Sequence, residues 1–284
     1  MNKPMMKCHT MDTETDNLTE FSAALQVKDL TLAYDDKIIS SNLSLDIPQG
    51  KISVILGANG CGKSTLLKAL ARLLKAKEGS IIIDGKDLAS WPSKLLAQKL
   101  GLLPQSPVVP EGIRVADLVA RGRYPYRKAF QGMSKEDYNK VQEALELMGV
   151  SSLAERCVDE LSGGQRQRVW IALALAQNPN ILLLDEPTTY LDISYQVDIL
   201  DTLKEINLQK GTTIVMVLHD INLSTRYADH IFALKEGRLI AQGKPKDIIK
   251  AELMHELYEL NCMIIDDPIT LDPLVVPLSR NMSC

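Results

Sequence analysis

The chain is short of everything that would mark it as membrane-spanning, secreted or nucleic-acid-binding. No stretch of its 284 residues approaches the ~20 consecutive apolar residues of a membrane-crossing helix. Residues 1–20 are polar and acidic and lack the apolar segment of a secretion signal. The expectation is a cytosolic protein that reaches a membrane only through a partner. A basic excess is missing too: 32 Lys and Arg stand against 36 Asp and Glu, a net charge of −4. Phosphate backbones attract basic surfaces, so nucleic acid is not expected as the main partner. The cysteines are five and scattered (Cys8, Cys61, Cys157, Cys262, Cys284), with no C-x-x-C pair and no zinc spacing. Reduced thiols follow, rather than a disulfide framework or a zinc module.

What is present is an ordinary globular composition, 45% apolar, in a length that suits one large domain or a domain with a subdomain. Within it stands Gly57-Ala58-Asn59-Gly60-Cys61-Gly62-Lys63-Ser64-Thr65, which fits the phosphate-binding loop pattern G-x-x-x-x-G-K-[ST]. Glycines let the backbone curl so that successive N–H groups point at phosphate oxygens. Lys63 can place its charge on the β- and γ-phosphates, and the Ser64 hydroxyl can ligate Mg²⁺. The context agrees: 51–56 reads as a short buried strand and 65–74 as an amphipathic helix. Such a helix meets the phosphate with its positive end. Cys61 reads as a small filler whose alkylation should block nucleotide. The loop alone leaves kinases, GTPases and ATPases open.

The surrounding pattern alternates strands and helices. Residues 24–32 and 42–47 read as strands, the second with clear alternation, followed by a Pro48-Gln49-Gly50 turn. Further strands are expected at 80–83, 100–103, 180–185 and 212–219, and a helix at 193–208. Strands alternating with helices imply a largely parallel sheet. Between 105 and 158 the character changes: Pro107, Pro110 and Gly112 break structure, then 115–121 and 134–148 read as helices, the latter capped by Ser134.

Two more motifs accompany the loop. Leu161-Ser162-Gly163-Gly164-Gln165 precedes a strong helix over 166–176; Ser162 fits its N-cap, and the double glycine bares a backbone that can face an anion. The apolar run 181–184 ends in Asp185-Glu186-Pro187, which puts two carboxylates at the carboxyl edge of the sheet, where open α/β folds bind ligands. Asp185 is placed as the metal-side carboxylate, and Glu186 to orient or deprotonate an attacking water.

With these three motifs in order, the chain resembles the nucleotide-binding subunit of ATP-binding cassette transporters over nearly all of 24–243. The resemblance implies an ATPase that uses ATP and Mg²⁺. It implies an α/β fold: a P-loop NTPase core with a mainly parallel sheet, an antiparallel β subdomain and an α-helical insertion. It gives roles to further residues. Tyr34 stands where the family carries an aromatic that stacks on adenine. Gln105 matches a glutamine that senses Mg²⁺ and the attacking water, His219 a histidine at the γ-phosphate, and Asp192 an aspartate that communicates across a dimer. In that family the Ser162–Gln165 element closes over the ATP held by the other copy, so two copies pair head to tail and complete two sites.

The stretches 121–127 (Arg-Gly-Arg-Tyr-Pro-Tyr-Arg) and 186–194, with a bulky Tyr190, look like the importer branch that takes up ferric siderophores. Haem and vitamin B12 systems are close relatives, and an exporter is a more distant alternative. The resemblance implies a separate membrane permease contacted through 106–127. It also implies a periplasmic or lipid-anchored siderophore-binding protein acting indirectly, and a peripheral place on the cytoplasmic face of the inner membrane. The expected division is a disordered tail (1–22), an ATPase domain (23–260) and a C-terminal segment (244–284) of helices and short strands. Within the ATPase domain, 23–104 and 159–243 form the nucleotide-binding core and 105–158 the helical subdomain.

Overall fold

The computed structural model describes residues 22–279 apart from 106, 108, 109, 129, 130 and 190. The expected tail therefore lies outside the described residues except for Ser22, whose hydroxyl donates to Gln49 Oε1 (3.0 Å). Tyr190, part of 106–127 and the last residues of the C-terminal segment also lie outside them.

The chain begins with two long strands, β1 (Ala23–Tyr34) and β2 (Lys37–Pro48), paired antiparallel. In β2 Leu43, Leu45 and Ile47 are buried and the residues between them exposed, the period-two pattern of a strand with one wet face. Next come β3 (Ile52–Leu56), α1 (Lys63–Leu70), β4 (Glu78–Ile83), β5 (Lys86–Asp87), α2 (Ser93–Lys99) and β6 (Leu100–Leu103). The helix expected over 65–74 stops at Leu70, because the chain reverses through Arg72 in the left-handed region (φ 58°). Then follow α3 (Val115–Ala120), α4 (Lys135–Leu147), α5 (Gly163–Ala176), β7 (Ile181–Asp185), α6 (Ile193–Lys210), β8 (Thr213–Val217) and α7 (Ile221–Tyr227). The chain closes with β9 (His230–Lys235), β10 (Arg238–Gly243), α8 (Pro245–Ile248), α9 (Ala251–Tyr258), β11 (Cys262–Asp266) and β12 (Pro273–Pro277).

The strands form three sheets. A six-stranded sheet runs β10-β9-β3-β8-β7-β6, parallel throughout except for the edge strand β10. A four-stranded antiparallel sheet runs β2-β1-β4-β5, and β11 pairs with β12. Every residue of β3, β7 and β8 is buried, as expected for parallel strands covered on both faces. Their side chains divide by parity. Val54, Leu184 and Met216 join the core shared with α3–α6, whereas Ile55, Leu183 and Val217 join the core shared with α1 and the antiparallel sheet.

The helical stretch after β6 is held by two capping boxes and one buried ion pair. Ser134 caps α4 with Asp137 returning the bond, and Ser162 caps α5 with Gln165 doing the same. Arg123 Nε lies 2.8 Å from Asp137 Oδ1, and its Nη1 donates to Ala176 O at the end of α5 (2.9 Å). At 3% exposure Arg123 is a packing member of the 121–127 stretch rather than part of its surface. Beyond Ala120 the helix expected over 115–121 tightens into a 3₁₀ turn over Arg121–Tyr126.

Candidate nucleotide site

Four parallel strands deliver the site. Their register is level: Leu103 faces Leu184, Asp185 faces Val217, and Ile55 faces Val217 from the other side. The loops leaving β3, β6, β7 and β8 therefore emerge at one carboxyl edge, carrying the phosphate loop, Gln105, Asp185-Glu186 and His219 respectively.

The loop after β3 depends on glycine at its two bends. Gly57 has φ 151°, and a Cβ there would come within 2.2 Å of Leu234 O. Gly62, at φ 103°, is the N-cap residue of α1 and would bring a Cβ to 2.9 Å from Ser40 Oγ. Lys63, which follows Gly62, is 5% exposed, and its ammonium donates to Gly57 O (2.7 Å) and Ala58 O (3.0 Å). Ser64 donates its hydroxyl to Asp185 Oδ1 (2.9 Å). Burial raises the Asp185 carboxyl, against the pull of that hydrogen bond.

Glu186 is the most heavily restrained carboxylate of the site. Gln105 Nε2 (2.8 Å) and Thr189 Oγ1 (3.0 Å) donate to its Oε2, and His219 Nε2 lies 2.7 Å from its Oε1. Burial pushes its pKa up, but the bonds from His219, Thr189 and Gln105 outweigh that and hold it below the ordinary carboxylate value. Its backbone sits at φ 53°, a left-handed conformation uncommon away from glycine and concentrated at functional sites.

These groups line a cavity of about 510 Å³, to which the phosphate loop contributes Asn59, Gly60, Gly62, Lys63, Ser64 and Thr65 and the other loops Gln105, Glu186 and His219. Not every expected residue arrives there. Tyr34, at the end of β1, is 43% exposed and does not line the cavity; Ile39 of β2 does. Cys61 is buried, with its thiol turned toward Gly57 and its N–H donating to Ala58 O (3.3 Å). Burial pushes the Cys61 thiol up, so alkylation there requires the loop to open first. Gly57 itself is buried and is not part of the cavity wall.

Ser162, Gly163, Gly164 and Gln165 also stay outside this cavity, at the exposed start of α5. Their helix is tied to the acidic loop of the same chain, since Gln167 Nε2 donates to Pro187 O (2.8 Å). Asp192 is exposed at the start of α6. Three contributors escaped sequence reading: Thr189, Ile39 and Tyr258, whose phenol oxygen accepts the Gly57 N–H (3.0 Å). Thr189 follows the acidic pair closely enough to have been noticed; Tyr258 carries no local signal.

A metal fits the donor set in one respect. Ser64 and Asp185 offer two hard oxygens, and among the described residues no group of three or more His, Cys, Asp or Glu could hold a metal ion. Mg²⁺ suits so sparse a set, because it keeps waters and takes its remaining ligands from phosphates. Among the described residues no helix is long and apolar enough to cross a membrane.

A family model described as ABC transporter matches residues 40–189. The chain is 50% identical over 263 residues to the ferric enterobactin transport ATP-binding protein of Escherichia coli (strain K12), covering 93% of this chain and 97% of that protein. It is 49% identical over 257 residues to the achromobactin transport ATP-binding protein of Dickeya dadantii (strain 3937), covering 90% and 96%. Among solved structures it resembles a metal-chelate type ABC transporter in an inward-facing conformation, with a TM-score of 0.79, 29% identity and coverage of 91% and 99%. A dimeric, post-hydrolysis ATP-binding cassette bound to ADP and phosphate matches with a TM-score of 0.70 and 32% identity, covering 78% of this chain and 98% of that one.

Proposed function

The chain belongs to the ABC transporter family, and on that premise we propose that it is the ATP-hydrolysing subunit that powers ferric-siderophore import through a separate membrane permease. The observation that carries the ATPase reading is Glu186, an ionised carboxylate fixed by Gln105, Thr189 and His219 in the same cavity as Lys63 and Ser64. The cargo reading rests on the siderophore systems named by relatives of about half identity and near-complete coverage.

Each residue has a task in that chemistry. Lys63 neutralises the β- and γ-phosphates of ATP, while the backbone of Asn59, Gly60, Cys61 and Gly62 cradles them as Gly57 holds the bend. Ser64 and Asp185, with Gln105, would hold Mg²⁺, which would offset charge on the phosphates, and Thr65 stays with the nucleotide-binding loop. Glu186 accepts the proton of the attacking water, and His219 keeps the carboxylate aimed and faces the γ-phosphate. Tyr34 reaches adenine only if nucleotide extends past the cavity to the open end of β1.

A second copy of the chain is the first partner. Ser162, Gly163, Gly164 and Gln165 stand free of their own cavity, which supports their closing over ATP held by the other copy, with Asp192 at the seam. Reciprocal faces of this kind suit a twofold pair. The permease is the second partner, met by 106–127. A cavity of about 670 Å³ there is lined by Ala116, Asp117, Arg121, Tyr124 and Tyr138, among others. The binding protein acts through the permease alone, and the chain works peripherally on the cytoplasmic face.

Uptake of radioiron-loaded siderophore tests this. Cells lacking the chain should regain uptake with the parent protein but not with Glu186→Gln. Rescue of export instead, or uptake of haem or vitamin B12 in place of the siderophore, would overturn the cargo reading.

A further inference from the structure

The C-terminal segment lines no part of the cavity, yet through Tyr258 it is bonded to the site at its root. Helix α9 is anchored by Met254 (0% exposed) and Leu257 in the core, and Lys235 Nζ donates to Glu256 O (2.7 Å). This places Tyr258, its last residue, beneath the phosphate loop, where its phenol oxygen accepts the Gly57 N–H. Farther on, Asn222 of α7 exchanges two bonds with Val275 of β12 (3.2 and 2.8 Å). The segment is thus fastened both under the phosphate loop and to the helix that follows His219.

Gly57 is the residue where the loop departs from β3, and both of its polar groups are engaged. Its carbonyl accepts from the Lys63 ammonium and its N–H donates to Tyr258. Contact with Leu234 O leaves no room on the other side. Gly57 is buried, so its N–H has no ready replacement for the phenol. The two bonds flank one Cα, so a shift of the Gly57 N–H is passed through it to the carbonyl that seats Lys63.

We infer that Tyr258 is a positioning residue of the phosphate loop: its oxygen fixes the peptide at Gly57, and through it the ammonium of Lys63 and the loop that receives nucleotide phosphates. This rests on reading the loop as the ATP site. The phenol stays protonated, pushed up to about 12 by burial, so it serves as a neutral acceptor across the physiological range. Cys61, buried against Gly57, supplies a native reporter of loop opening.

The test uses the full chain with ATP and Mg²⁺ as ligand and iodoacetamide as probe, with Cys61 alkylation followed by peptide mass spectrometry. Tyr258→Phe keeps the ring and removes the acceptor. It should raise the Kd for ATP about tenfold and speed Cys61 alkylation by a similar factor, the scale expected when a buried N–H loses its partner. The turnover at saturating ATP should stay within about twofold, because a repositioned loop costs binding before it costs the base. Met254→Ala, which weakens the same helix but keeps the phenol, should lower the Tm and leave both readouts at parent values well below that temperature. An unchanged Kd and alkylation rate in Tyr258→Phe, or an equal shift in Met254→Ala, overturns the inference. Lys63→Ala separates the premise: if it leaves ATP affinity intact, the ATP-site reading falls and this inference with it. If it weakens ATP while Tyr258→Phe does not, only the inference falls.

Discussion

His219 Nε2 and Glu186 Oε1 lie 2.7 Å apart, brought together from the ends of the neighbouring parallel strands β7 and β8. The pairing orients a carboxylate that would otherwise be free to turn, and it offsets the burial that favours the protonated acid.

Replacing that carboxylate by its amide is the direct probe of the base. Glu186→Gln keeps the size and the contacts to Thr189 and removes the proton acceptor. ATP affinity should hold within a few-fold while phosphate release falls by about 10²–10⁴, the usual worth of a positioned base. Phosphate release and equilibrium nucleotide binding measured on one preparation check it.

The pH profile follows from the direction of the Glu186 shift. A carboxyl held below its ordinary 4.5 stays ionised as pH falls, so the acid limb of turnover should lie below that value. The bonded carboxylate also adds stability that is complete above 4.5 and lost as pH falls through the lowered value. In His219→Ala the burial remains and its largest opposing partner is gone, so the acid limb should move to higher pH. A rate–pH profile on the residual activity checks this.

Arg123 and Asp137 form a buried pair, exposed by 3% and 8% at their side chains. Burial pushes the Asp137 carboxyl up, but bonds from Ser134 and Arg123 hold it below the usual carboxylate range. Arg123→Met leaves that charge with only Ser134 as support, and loss of one partner of such a pair costs about 3–5 kcal/mol. A fall in urea midpoint of matching size, with the helical stretch around α3 and α4 losing hydrogen-exchange protection first, is expected.

The legible parts of this protein were those written locally. Ser134 and Ser162 were readable as caps because each bonds three residues ahead. Strands β3, β7 and β8 announced themselves as apolar runs, and the acidic pair marked where β7 ends. What escaped was set by partners distant in the chain. Arg123 reads as a surface charge until Asp137 and the end of α5 close around it. Strands β9 and β10, and helices α2 and α7, went unread beside louder motifs. Tyr34 is assigned by likeness to a family position, and the structure places it exposed at the end of β1, outside the cavity lining. No local pattern could join Tyr258 to Gly57, which stand 201 residues apart in the chain.

The central claim is that each ATP is completed by Ser162 of the opposite copy. Mixing two inactive chains tests it: one carries Ser162→Arg, the other Lys63→Ala. If the elements act across the pair, a mixed dimer concentrates both defects in one site and leaves the other whole, so ATP hydrolysis should return on mixing. If mixing restores nothing beyond the sum of the two inactive preparations while mixed dimers are demonstrably formed, each chain works on its own ATP and the account is wrong.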